Sequence, residues 1–143
     1  MDNVFQLDIL DTPKIEKTKM IKYGFRIYVK DWEWLKELVK YEIVKNENLE
    51  YNNSKAISEA VQLLMEKHGE IKPRKTNIRY RPGRRDSPND VKVTSTYLSE
   101  PQVEYLKNYH FNTIFGKGNL EYSQMELFSE LVNGLKEKYK DKF

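Results

Sequence analysis

Basic residues cluster between Gly69 and Asp90, where Lys72, Arg74, Lys75, Arg79, Arg81, Arg84 and Arg85 stand against Glu70, Asp86 and Asp90. Guanidinium and ammonium groups pair with phosphate oxygens, so arginines such as Arg84 and Arg85 could track a nucleic-acid backbone or enter a minor groove. A solvated basic loop accounts for the same residues equally well. The formal net charge is only +3, so any anion binding must come from such local clustering. Other chemistry lacks its parts. Cysteine is absent, which removes disulfides, thiolate zinc sites and cysteine nucleophiles. His68 and His110 have no ligand-like neighbours at helical spacing, so neither a metal nor a cofactor is expected. No Ser/His/Asp arrangement or phosphate-cradling glycine loop is present, and an enzyme is not expected. Trp32, Trp34, Tyr105 and Tyr109 could stack on bases, but their helical spacing favours packing.

The elements that would position these groups occur twice. Asn48-Leu49-Glu50-Tyr51 returns as Asn119-Leu120-Glu121-Tyr122, an offset of 71 residues (51 to 122). Sliding residues 20–67 along by that offset without a gap pairs fourteen identical residues, among them Glu33/Glu104, Leu35/Leu106, Ser58/Ser129, Glu59/Glu130 and Leu64/Leu135. Two copies are too few for a solenoid. The expected organisation is an N-terminal arm (1–19), a first unit (20–69), a basic linker (70–90) and a second unit (91–143), with both units sharing one core.

Each unit reads as strand, helix, helix. Tyr23, Phe25 and Ile27 alternate with Lys22, Gly24 and Arg26, the period of a half-buried strand. From Asp31, a suitable N-cap, Trp32, Leu35, Leu38, Val39 and Ile43 follow a helical period to about Lys45–Asn48. Asn52 or Asn53 caps a helix from Ser54 to about His68, which Gly69 closes. In the second unit Val91–Leu98 suits a strand. Ser99-Glu100-Pro101-Gln102 forms a capping box for a helix through Ile114, stopped at Gly116-Lys117-Gly118. Ser123-Gln124-Met125-Glu126 caps a last helix running toward Lys140. Leu49 and Leu120 are expected in the shared core.

A lone edge strand with two amphipathic helices can neither satisfy its backbone nor cover its apolar stripes. Antiparallel pairing of the two strands solves both problems and interlocks four helices under one face. The fold class expected is therefore mainly α with a two-stranded antiparallel ribbon. Such a ribbon is narrow enough to enter the DNA major groove.

Ser54-Lys55-Ala56-Ile57-Ser58-Glu59-Ala60-Val61, together with Leu98-Ser99-Glu100 and Val103-Glu104-Tyr105-Leu106, resembles the second helix and the strand-to-helix junction of the ribbon-helix-helix (MetJ/Arc/CopG) superfamily of DNA-binding proteins. The resemblance covers residues 22–68 and 93–139 and implies a single-chain pseudo-dimer, similar to TraY-like accessory proteins of conjugative plasmids. It implies sequence-specific double-stranded DNA binding, with Lys22, Arg26, Ser95 and Tyr97 on the DNA-facing side when Ile27 and Leu98 are aligned. Arg26 could donate bidentately to guanine, while Ser95 and Tyr97 are less selective. Periodicity in the second strand equally allows Val91 and Val93 inward with Thr94 and Thr96 outward. In the family the amides that begin the second helix clamp a phosphate, a role that falls here to Asn52, Asn53, Ser54, Ser123 and Gln124. Each would also be justified as a cap alone. The family tends to place glycine before that helix, where this chain has Glu50 and Glu121.

The partners implied are duplex DNA, a relaxase or other DNA-processing protein, and further copies of the chain along DNA. The role implied is a relaxosome or transfer accessory protein, with a transcriptional repressor, antitoxin or partition protein of the same fold as the alternative. A protein-binding adaptor that has lost DNA recognition is the rival from another class, with Val4–Leu10 or the last helix as its contact. No stretch approaches the ~20 apolar residues of a membrane span, and Met1–Phe5 lacks a basic region followed by an apolar run, so a cytoplasmic protein is expected.

Overall fold

The computed structural model of the chain describes residues 19–77 and 90–143. Strand β1, Met20–Tyr28, runs directly into helix α1, Val29–Val44, and a turn leads to helix α2, Asn53–His68. The second half repeats the order with β2, Val91–Ser99, helix α3, Glu100–Phe111, a π-helical turn, Asn112–Gly116, and helix α4, Gln124–Lys138. The strands form a two-stranded antiparallel sheet in which Gly24 lies opposite Ser95. Positions 24 and 95 are themselves separated by the repeat offset of 71, so the register brings corresponding residues face to face at the centre of the ribbon.

Local hydrogen bonds recur at the same offset. The Val29 N–H donates to Asp90 O at 2.9 Å and the Glu100 N–H to Lys19 O at 3.2 Å, which ties the start of each strand to the start of the other half's first helix. Likewise the Asn48 N–H donates to Glu42 O at 3.0 Å and the Asn119 N–H to Thr113 O at 3.3 Å. The Tyr51 N–H meets Asn48 O at 3.1 Å, and the Tyr122 N–H meets Asn119 O at 3.3 Å.

Packing crosses between the halves. Helix α4 lies against β1, helix α2 against β2, and the two helices against each other. Phe128 of α4 stacks on Phe25 of β1 with ring centroids 4.2 Å apart and planes 4° from parallel. The inward strand residues Tyr23, Phe25, Ile27, Thr96 and Leu98 are buried, as are the helix stripes led by Leu35, Ile57, Leu106 and Leu131. All of these except Thr96 belong to one apolar cluster drawn from both halves. Burying a side chain of this size contributes about 1.5–3 kcal/mol, so neither half alone could replace what the other covers.

Several local expectations are corrected. Asp31 is not the cap of α1, which begins at Val29 behind an extended Tyr28. Asp31 sits instead in the first turn, only 2% exposed, where its carboxyl hydrogen-bonds to Ser129 and its Oδ2 has no partner. Its counterpart Gln102 holds the equivalent place: the Gln102 Nε2 donates to Ser58 Oγ at 2.9 Å, and Ser58 corresponds to Ser129. The third helix ceases to be α-helical at Phe111, and the Thr113 hydroxyl donates to Tyr109 O at 2.9 Å within the wider turn that follows. The last helix ends at Lys138, short of Lys140.

Leu49 and Leu120 are not core residues; they are 79% and 53% exposed. The tyrosine of each tetrapeptide buries in their place, because its hydroxyl finds a carboxylate eight residues on. The Tyr51 hydroxyl donates to Glu59 Oε1 at 3.0 Å, and the Tyr122 hydroxyl donates to Glu130 Oε2. Burial, then the adjacent carboxylate, pushes both phenols well above their ordinary range and keeps them as donors.

The linker expected over 70–90 begins as a docked strap. The Tyr105 hydroxyl donates to Gly69 O at 2.8 Å, the Asn112 amide to Lys72 O at 2.7 Å, and Arg74 lies along α3. No described helix is long and apolar enough to cross a membrane.

Candidate nucleic-acid interface

The outer face of the ribbon is built by strand alternation. Residues whose inward neighbours are Tyr23, Phe25 and Ile27 must point away from the helices, and Lys22, Gly24 and Arg26 are accordingly exposed. On β2 the buried positions are Thr96 and Leu98, which leaves Val93, Ser95 and Tyr97 exposed. Lys22 faces Tyr97 across the ladder, Gly24 faces Ser95, and Arg26 faces Val93. The outward set thus has Lys22, Arg26, Ser95 and Tyr97 on one surface, and no carboxylate among the outward positions of either strand.

The two edges of the ribbon are held by the first turns of α2 and α4. Ser54 Oγ accepts from the Tyr97 N–H at 3.1 Å and from the Thr96 hydroxyl at 2.8 Å. On the opposite edge Gln124 Oε1 accepts from the Arg26 N–H at 3.0 Å, while its Nε2 donates to the Tyr23 hydroxyl at 3.1 Å. Arg26 and Tyr97 correspond under the repeat offset, so two different side chains perform one task at equivalent amides. An unpaired strand edge is otherwise open to other chains, and these hydrogen bonds occupy part of it.

The residues expected at phosphates therefore have internal duties. Asn52 Oδ1 caps α2 by accepting from the Lys55 N–H at 2.9 Å. The Ser123 N–H donates to Glu126 Oε1 at 3.0 Å, which completes the return half of the expected capping box. Asn53 is half-buried, with an Oδ1 that lacks a hydrogen-bond partner. With Asn52, Ser54, Ser123 and Gln124 engaged, the groups an anion would meet are the first-turn main-chain amides that these caps do not take. The two ends differ in charge: the first turn of α2 has no acidic residue, whereas that of α4 contains Glu126.

Arg74 separates from the basic cluster. Its Nη1 donates to Glu104 Oε1 at 2.9 Å and to Asn108 Oδ1 at 2.8 Å, and its Nε donates to Asn77 at 2.9 Å. The Arg74 hydrogen bond holds the Glu104 carboxyl below its usual range. This guanidinium fastens the strap to α3. Arg84 and Arg85, with Val4–Leu10, lie outside the described residues.

Other polar groups are also spoken for. An open concavity of ≈ 440 Å³ near the π-helical turn includes Tyr109, Tyr122 and Glu130. There Glu130 already accepts from both tyrosine hydroxyls, at 3.0 Å from Tyr109. The His68 ring lies 5.1 Å from Tyr109 and the His110 ring 5.5 Å from Tyr122. Among the described residues no three His, Asp or Glu side chains are grouped to hold a metal ion.

Val93 shares the face of the expected readers without being one of them. Its signal was parity: an apolar residue at an outward strand position. The roles of Ser54 and Gln124 had no sequence signal, since their strand partners lie 43 and 98 residues away. No protein-family model, curated protein or solved structure matches this chain.

Proposed function

We propose that the chain is a tandem ribbon-helix-helix protein, a pseudo-dimer in one polypeptide, that binds double-stranded DNA with its ribbon in the major groove. The observation that carries this reading is the arrangement around Gly24 and Ser95. Corresponding residues meet at the ribbon centre, Lys22 and Arg26 are exposed on its outer face, and a helix N-terminus flanks each edge. Two strands about 4.8 Å apart fit a groove about 12 Å wide. Outward side chains then reach base edges, and the helix ends at either side face the phosphate rails.

Because the two outer strand faces differ in every outward residue, the site read should be asymmetric and not half of a palindrome. Within this reading we favour an accessory role in plasmid DNA processing, beside a relaxase, over a repressor, antitoxin or partition protein; the tandem arrangement supports that choice. Selection of bound duplexes from a random pool, followed by titration over a salt series, tests the proposal. One enriched asymmetric motif and a steep loss of affinity with salt are expected. Absence of binding to any duplex above background at low salt would overturn it and leave the adaptor reading.

A further inference from the structure

The second strand is inverted relative to ordinary burial: Thr96 is buried while Val93, three positions away, is 70% exposed. Among described strand residues Val93 is the most exposed large apolar side chain. A β-branched side chain there gains nothing from the core. The face it occupies contains two cations and no carboxylate, which matches a polyanion better than an acidic or neutral protein surface.

Register sets its neighbour. Val93 lies directly across from Arg26. The Arg26 N–H is turned to the ribbon edge and taken by Gln124, so Arg26 and Val93 form a pair without mutual ladder hydrogen bonds. Such pairs have Cα atoms about 4.5 Å apart and side chains close together. In the major groove an arginine selects guanine through O6 and N7, and the apolar group that a base presents there is the C5-methyl of thymine. Successive bases on one strand are separated by about 3.4 Å, close to the spacing of this residue pair.

We infer that Val93 reads a thymine methyl group beside the guanine bound by Arg26. The ribbon then divides its reading by strand: β1 supplies hydrogen-bond donors through Lys22 and Arg26, and β2 supplies an apolar surface through Val93. This inference rests on the DNA-binding reading above.

The test uses the full chain and the duplex recovered by selection. Each thymine of the motif is replaced in turn by uracil, which removes only the methyl group, and binding is titrated. One thymine next to a guanine should show affinity reduced about fourfold, the value of one buried methyl-sized group. Val93→Ala should bind the thymine and uracil duplexes alike, whereas Arg26→Ala should retain the difference. Both substitutions are at exposed positions, and circular dichroism checks that the variants fold. A duplex bound tightly with no uracil-sensitive position, or equal sensitivity in Val93→Ala, overturns the inference while leaving DNA binding intact. Failure to bind any duplex overturns both.

Discussion

The main-chain N–H of Arg26 donates to the side chain of Gln124 at 3.0 Å, so the residue expected to read a base is held in place by a helix from the other half of the chain. Ser54 does the same for Tyr97. Gln124→Ala and Ser54→Ala each remove a strand-edge hydrogen bond at a partly solvated site, where the net cost is about 0.5–1.5 kcal/mol. Urea unfolding should show that loss in both variants. Unchanged midpoints in both would mean that the strand edges hold their position without these side chains.

The arginines should separate by the measurement used. Arg26→Ala is expected to relax base preference by about 1–3 kcal/mol at one position, visible as a flattened motif in competition binding. Arg74 is committed to Glu104 and Asn108, so Arg74→Ala should lower the unfolding midpoint and leave the salt slope of DNA binding unchanged. Neutralising Arg84 and Arg85 should weaken all sequences similarly and reduce the slope by ~0.9 for each phosphate that is no longer neutralised. A slope that falls for Arg74→Ala would place that guanidinium on DNA.

The repeated tetrapeptide offers a paired comparison. Tyr51→Phe and Tyr122→Phe each remove a buried donor from a carboxylate and should cost about 1–3 kcal/mol in chemical denaturation. Leu49→Ala and Leu120→Ala alter exposed side chains and should stay within about 0.5 kcal/mol of the parent. A larger loss at the leucines than at the tyrosines would reverse the assignment of which residue anchors the turn.

Asp31 predicts a pH dependence. Burial raises its carboxyl above the ordinary 3.8, against the opposing pull of Lys136, Lys30 and the Ser129 hydroxyl. A raised folded-state value means that the protonated acid is the better-tolerated form. The stability it contributes is present below about pH 3.8 and is lost as pH rises through the higher folded value. Asp31→Asn, which keeps a polar group near Ser129 without the charge, should therefore be more stable than the parent at pH 7 and lose that advantage near pH 3. Midpoints of urea unfolding across this range provide the check; an advantage that grows toward acid pH would give the shift the opposite sign.

What could be read in advance follows from where each residue's partner lies. Strand β1 was legible because Tyr23, Phe25 and Ile27 are all apolar and all inward. Strand β2 was ambiguous because it buries Thr96 and exposes Val93, so alternation alone favoured neither face. Aligning Ile27 with Leu98 assigned Ser95 and Tyr97 to the face on which the structure exposes them, since the two halves share an offset. Asp31 looked like a cap because acids near a helix start usually are; its burial depends on α4, which no local pattern announces. Leu49 looked like core by residue type, but a tyrosine with a carboxylate within reach fills the same space better. Ser54 and Gln124 are legible as helix-start residues, while their strand partners depend on how the halves cross.

The pairing of β1 with β2 also changes the order of the folding reaction. Each strand finds its backbone partner in the other half of its own chain, so forming the ribbon requires no encounter between molecules. The intervening segment keeps the second strand in the same molecule, at an effective concentration above what separate half-chains would reach in dilute solution. Thermal or denaturant midpoints of this protein should accordingly be independent of protein concentration, where a ribbon assembled from two separate chains loses stability on dilution. The covalent link also fixes composition: every ribbon contains one strand of each kind, so the unlike faces of Arg26 and Val93 are always presented together.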